Sequence, residues 1–236
     1  MTAVRGVLFD KDGTLFDFHL SWGSWAAALL RDLTAGDDVA ATRIGHAMGY
    51  DLVARRFDPD SPVIAGTPQE VAALLSPQLP GMSQEVLLAR INASAGEARM
   101  VPAVPLEPLL SGLRGRGLRL GVATNDAEAP AQAHLEAADV AGHFEFIAGF
   151  DSGHGAKPAP GMLLAFARAA RLAPESVLMV GDSTHDLLAG RAAGMRTVGV
   201  LTGPAGHADL APHAHSVIRD IGALPALLDE LAVTPG

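Results

Sequence analysis

Strand-like segments fall very unevenly along this chain, and that spacing restricts its fold more than any other feature. "VRGVLF" at 4–9 is short and ends in an unbroken apolar run, the pattern of a strand buried on both faces. Residues 20–100 then read as almost pure helix, with segments at 20–33, 39–48, 69–75 and 84–99. A Pro/Gly/Asp-rich stretch, "FDPDSPVIAGTP", interrupts them and reads as a loop. From Pro102 the pattern changes to alternation. Strands are expected at 118–123, 144–148, 177–180 and 197–201, with a weaker one at 216–218. Helices are expected at 106–116, 127–138, 161–171, 187–193 and 224–231. Strands alternating with helices build βαβ units and a parallel sheet. The expected class is therefore α/β: a doubly wound parallel sheet formed by 1–16 and 101–236, with 17–100 inserted after the first strand as a helical unit.

Charge and composition narrow the function. The chain carries 17 basic against 26 acidic residues, a net charge of -9, with no Lys/Arg-rich run, so the basic footprint of a nucleic-acid binder is missing. It has no cysteine, which excludes disulfides, thiolate zinc sites and a Cys nucleophile. The first apolar run is very short and meets Asp10, Lys11 and Asp12, unlike a signal peptide. No apolar stretch is long enough to span a bilayer. The expectation is a cytoplasmic protein with no membrane or nucleic-acid partner.

The chemistry is written at the ends of the strands. "LFDKDGTL" stops its apolar run at Asp10, with Asp12 two residues on. "ATND" puts Thr124 and Asn125 after the second strand, "HGAKPAPG" puts Lys157 after the third, and "MVGDSTHD" puts Asp182, Ser183 and Asp186 after the fourth. Ligands of open parallel sheets bind beyond the carboxyl ends of the strands, so these groups are expected on one rim. Hard oxygen ligands such as Asp10 and Asp182 suit Mg²⁺. Lys157 and Thr124 offer donors to a phosphate. Two carboxylates about 4 Å apart repel by roughly 4 kcal/mol at an effective dielectric of about 20, a penalty that a divalent cation and a lysine remove. Asp10 is then placed to attack phosphorus, and Asp12 to protonate the leaving oxygen.

"DKDGTL", Thr124, Lys157 in "KPAPG" and "GDSTHD" resemble, in order, the four motifs of the haloacid dehalogenase superfamily. "GRAAGM" continues the last one in the manner of the phosphoglycolate phosphatase-like branch. The resemblance covers essentially the whole chain. It implies a Rossmann-like core with a helical cap, and a Mg²⁺-dependent phosphatase acting on a small-molecule phosphate monoester. Asp10 would form a phospho-aspartyl intermediate, and Asp12 would be general acid and then base, its carbonyl also binding Mg²⁺. Asp182 would be a metal ligand, Asp186 a ligand directly or through water, and Thr124, Asn125 and Lys157 would contact the substrate. The second acid, Asp12, favours a phosphate ester over a haloacid or phosphonate.

Each residue alone has a plainer reading. Asp12-Gly13 is a turn signal, Thr124 a strand-end residue, Lys157 a solvated charge and Asp182 a helix cap. Only their combination points to catalysis. Trp22 and Trp25, three apart on a helix, read as helix-packing residues. His46, Arg55 and Arg56 are the candidates for reading a substrate anion from the cap, while His207, His213 and His215 lie in a Pro/Gly-rich segment unlike a metal site. A lid over the rim suits phosphates of roughly two to six carbons. The competing functions are a sugar phosphomutase on the same core and a non-catalytic interaction protein. A response-regulator receiver, which also uses Asp, Thr, Lys and Mg²⁺, is about half this length and lacks an insertion.

Overall fold

The structure, a computed structural model, describes residues 2–58, 61–64 and 66–233. Pro59, Asp60 and Ala65 of the expected loop, and residues 234–236 of the expected core segment, lie outside the described residues. Strand β1 (Gly6–Phe9) is followed by helices α1 (Phe18–Leu33) and α2 (Asp38–Ala47), a hairpin of β2 (Tyr50–Asp51) and β3 (Arg56–Phe57), and helices α3 (Pro68–Leu75) and α4 (Gln84–Gly96). Then come α5 (Leu106–Gly115), β4 (Arg119–Ala123), α6 (Glu128–Ala137), β5 (Phe146–Ala148), α7 (Gly161–Ala170) and β6 (Val177–Gly181). The chain finishes with α8 (Thr184–Ala192), β7 (Arg196–Val200), α9 (His207–Leu210), β8 (Ser216–Ile218) and α10 (Leu224–Val233).

Six strands form one parallel sheet in the order β5-β4-β1-β6-β7-β8. Strand β1 is central, and its period-2 side chains feed two cores. Val7 and Phe9 pack with Leu106, Leu110 and Leu224 of α5 and α10, whereas Leu8 packs with Met162, Leu163 and Phe166 of α7. Both faces are covered, which is why the run is apolar without alternation. From β1 the chain steps out to β4 and β5, then returns to β6 on the other side of β1. That reversal opens a crevice at the carboxyl edge of β1 and β6.

The insertion has a core of its own, with Leu29, Leu30, Ile44, Tyr50, Leu75 and Leu87 all nearly inaccessible. Its helices start where caps dictate. The Asp17 carboxylate accepts from Leu20 N–H (2.9 Å), so α1 begins at Phe18, two residues before its periodicity alone indicates. The insertion is not purely helical. Tyr50 pairs with Phe57 and Asp51 with Arg56, while Asp51 Oδ1 accepts from both Val53 and Ala54 N–H to make the turn. Two-residue strands carry too little alternation to register in the sequence. The four-residue α9, likewise unexpected, sits within the Pro/Gly-rich histidine segment.

The two linkers to the insertion run side by side. Asp17 N–H donates to Val101 O (2.8 Å) and Ala103 N–H to Leu15 O (2.9 Å), and Phe16 pairs antiparallel with Pro102. Among the described residues no helix is long and apolar enough to cross a membrane.

Candidate active site

The segment after β1 folds back at once. Leu15 N–H donates to Lys11 O (3.0 Å) and Gly13 N–H to Phe16 O (2.7 Å), with Gly13 at φ +77°. Glycine is required here twice. Its φ is left-handed, and a Cβ would lie 2.3 Å from Asp182 Oδ2. The expected turn is thus also what lets the β6 carboxylate approach the β1 loop.

Asp10, Asp182 and Asp186 are all buried, and each offers an oxygen within 4.8 Å of the others. Lys157 arrives from the loop after β5, its Nζ donating to Asp10 Oδ1 (2.6 Å), Asp186 Oδ1 (2.6 Å) and Ala123 O (2.9 Å). Those three acceptors match the three N–H bonds of an ammonium. Asp186 reaches this position through a capping box. Its Oδ2 accepts from Ser183 N–H (3.0 Å) and Oγ–H (2.6 Å) at the start of α8, which leaves Oδ1 for the lysine. The cap also explains why α8 begins at Thr184 rather than near Leu187.

The electrostatics are unbalanced. Burial pushes the Asp10 carboxyl up to about 7; Lys157 opposes the shift, and the charges of Asp186 and Asp12 reinforce it. Burial, then the charges of Asp10 and Asp186, hold Asp182 well above the ordinary carboxylate range. For Lys157 burial works against the charge, but Asp10 and Asp186 outweigh it and keep the amine protonated. With all three carboxylates ionised against one ammonium, the cluster carries two uncompensated negative charges. An all-oxygen donor set with that deficit fits a hard divalent cation.

Thr124 and Asn125 follow β4 as expected. Thr124 Oγ1 accepts from Asp126 N–H (3.0 Å), which leaves its own hydrogen to donate. Asn125 lines the cavity, but its Nδ2 donates to Lys157 O (2.9 Å) and its Oδ1 accepts from Lys157 N–H (2.8 Å). The side chain thus clamps the lysine loop from a position on the cavity wall.

A second cluster was not legible in the sequence. Lys11 has no exposed side-chain surface, and its Nζ donates to Asp12 Oδ1 (2.8 Å) and lies 3.3 Å from Asp126 Oδ2. It also donates to His134 Nδ1 (3.1 Å), whose Nε2–H donates to Ala95 O of α4 (2.6 Å). An ammonium only donates and a carbonyl only accepts, so the tautomer is fixed. Burial, with the Lys11 charge, brings His134 down to about 4 and keeps it neutral. Trp22 Nε1–H donates to the same Asp12 Oδ1 (2.8 Å), and its ring centroid lies 5.2 Å from Lys11 Nζ. Trp22 is therefore more than the packing residue expected. Two hints were present: a lysine between two acids, and Asp126, which could serve as its counter-charge. Removing the cation should expose their coupling. Lys11→Met is expected to cost about 3–5 kcal/mol in urea unfolding at neutral pH, because Asp126 is left buried and unpaired. Burial already raises the Asp126 pKa, so the loss should shrink as acid neutralises that carboxyl.

Above these groups lies a cavity of about 100 Å³ with Asp10, Asp12, Thr124, Lys157 and Asp182 on its floor. Phe18, Trp22, Trp25, Phe57 and Ile91 from the insertion form its roof. His46, Arg55 and Arg56, the expected anion readers, do not line it and are exposed. For Arg56 the β3 pleat is the reason: Phe57 faces in, so Arg56 faces out. His215 Nδ1 accepts from Thr197 N–H (3.0 Å), a structural bond, and none of the three late histidines joins a metal-competent cluster among the described residues.

A doubly wound sheet with acids at its central strand ends and a lidlike insertion after the first strand is the build of a capped α/β hydrolase. The chain belongs to the haloacid dehalogenase-like hydrolase family, whose sequence profile matches residues 4–194. It is 32% identical over 217 residues to a phosphoglycolate phosphatase of Shigella dysenteriae, spanning 85% of this chain and 82% of that one. Its fold is shared with a Haemophilus somnus protein described as a predicted phosphoglycolate phosphatase (TM-score 0.71, 20% identity, 96% of this chain and 99% of that one). It is shared as well with a β-phosphoglucomutase of Clostridium difficile (TM-score 0.64, 16% identity, 98% and 100% covered).

Proposed function

We propose that the protein hydrolyses a small-molecule phosphate monoester, with Mg²⁺ as cofactor and Asp10 as the phosphoryl acceptor. The observation that carries this reading is the pairing of Asp10 with Lys157 on the cavity floor (2.6 Å), beside two further buried carboxylates. The activity named for the 32%-identical relative supports it. Asp10, Asp182 and Asp186, with the Asp12 carbonyl, are the groups that would hold Mg²⁺. The ion would supply the positive charge that balances the cluster and the phosphoryl oxygens.

Asp10 attacks phosphorus and the P–O bond to the alcohol breaks. Asp12 gives its proton to the departing oxygen. The Asp12 carboxylate then takes a proton from water, which attacks the acyl phosphate and releases inorganic phosphate. The Thr124 hydroxyl donates to a phosphoryl oxygen, the Lys157 ammonium, bonded to Asp10, sets its positive charge beside the group in transfer, and Asn125 keeps the Lys157 loop in register. Residues 17–100 act as a cap, closing on the paired linkers to exclude water. Phosphoglycolate, cleaved by the relative, is the first substrate to assay. A phosphomutase would return the phosphoryl group to a second hydroxyl, so release of free phosphate separates the two.

Chelation should abolish phosphate release, and added Mg²⁺ should restore it; full activity in excess chelator would contradict the reading. The same metal should act on stability in a pH-dependent way. Asp10 has an ordinary value of 3.8 and rises to about 7 in the metal-free fold, so the fold binds its proton more tightly than the unfolded chain does. That contribution to stability is complete below the ordinary value and is lost as pH climbs through the raised one. Mg²⁺ displaces the proton and relieves the repulsion. Its increase in Tm should therefore be larger near about pH 8 than near about pH 5.

A further inference from the structure

We propose that the alcohol half of the substrate is apolar: a phosphate monoester of a small branched-alkyl or benzylic alcohol rather than of a hydroxy acid or a sugar. This rests on the phosphatase reading above and specifies its substrate class. The cavity is chemically divided. Its floor carries the carboxylates, Thr124 and Lys157, which are matched to a phosphoryl group and a cation. Its roof, where the rest of the ester must lie, is built from Phe18, Trp22, Trp25, Phe57, Ile64 and Ile91. Trp22 and Trp25 meet edge to face with centroids 4.8 Å apart, and Phe18 meets Phe57 the same way at 5.6 Å. These are rigid walls that present ring faces and edges to whatever fills the space.

The basic side chains are elsewhere. Among the described lining residues only Lys157 and His185 are basic, and both belong to the core. All three Lys157 donors are already directed at Asp10, Asp186 and Ala123 O. The cap's Arg55, Arg56 and His46 are exposed and off the lining. A carboxylate on the alcohol half would be stripped of water against aromatic rings with no counter-charge in the roof, a costly burial. The hydroxyls of a sugar would lose water in the same way. The one roof donor that lacks a partner among the described residues is the neutral Trp25 Nε1–H, which suits a single uncharged acceptor at most. The size agrees with a small ester. At roughly 10–15 Å³ per water-sized group, the cavity of about 100 Å³ takes a phosphoryl group and a few carbons.

The test compares kcat/KM for 3-methylbutyl phosphate and benzyl phosphate with that for 2-phosphoglycolate and glycerol 3-phosphate, at saturating Mg²⁺, with p-nitrophenyl phosphate as the activity control. The apolar pair should be favoured by about 30- to 300-fold, the yield of burying several carbons. Ile64→Arg, at a half-buried position on the roof, should narrow that gap at least about tenfold by giving the glycolate carboxylate a partner. The wild-type comparison decides the matter even where that variant folds poorly. If p-nitrophenyl phosphate is cleaved but phosphoglycolate or glycerol phosphate matches or exceeds the apolar esters, the apolar assignment fails and the phosphatase reading stands. If Mg²⁺ elicits phosphate release from none of the five, both fail.

Discussion

Asp10→Asn should lower kcat by about a million-fold, because the amide cannot form the acyl phosphate and nothing else on the floor takes its place. The fold should not suffer in proportion. Asp10 sits against Asp182 and Asp186 within a cluster that pairs with Lys157, and burial already lifts its carboxyl to about 7. A neutral, isosteric amide keeps an oxygen for Lys157 and removes a charge the site holds reluctantly. The variant's metal-free Tm is therefore expected to equal or exceed that of the parent near neutral pH, measured by calorimetry beside the kinetics. A variant that keeps substantial turnover would place the nucleophile elsewhere.

Asp12→Ala should be the next most damaging change, with about 10²–10⁴-fold lost in kcat for esters of ordinary alcohols. The size of the loss should follow the leaving group. An alkoxide needs the proton from Asp12, whereas p-nitrophenolate departs without it, so phosphoryl transfer from p-nitrophenyl phosphate should be much less affected in single-turnover measurements. Equal losses for both would remove the general-acid role. The surroundings of Asp12 bear on this. Lys11 and Trp22 both donate to its Oδ1, so the carboxyl is held in one orientation from the core side and the cap side at once. His134 extends the same network to Ala95 of α4. Displacing the cap would break the Trp22 and Ala95 contacts together, and the acid would then lose its support.

The parts of this site that the sequence disclosed are those fixed by backbone topology. A carboxylate directly after a buried strand has one place to go in a parallel sheet, so Asp10, Thr124 and Asp182 were readable from apolar runs that stop at polar residues. Asp186 and Lys157 were readable as members of ordered motifs, although their contact, through Asp186 Oδ1 and Lys157 Nζ, joins residues 29 positions apart and leaves no local trace. What escaped were contacts between distant residues whose individual patterns are unremarkable. Lys11 meets His134 across 123 positions, and nothing in either local sequence announces the other. Trp22 was read as packing because helical spacing reports which face is apolar, not what that face covers. The inward turn of Phe57 and outward turn of Arg56 depend on a two-residue strand, too short for a period to emerge. Arg56 was accordingly expected at the cavity, where the pleat places Phe57 instead.

Trapping the acyl phosphate shows whether Asp10 carries the phosphoryl group. The Asp12→Ala variant should complete the first step with p-nitrophenyl phosphate and stall at the second, where the base for water is missing. Mixed with Mg²⁺ and that substrate and quenched in acid, it should release about one equivalent of p-nitrophenolate per site in a burst. Mass spectrometry of the digest should then find a hydroxylamine-sensitive phosphoryl group on Asp10. Steady release of p-nitrophenolate with no burst and no phosphorylated peptide, or a phosphoryl group on any other residue, would contradict it.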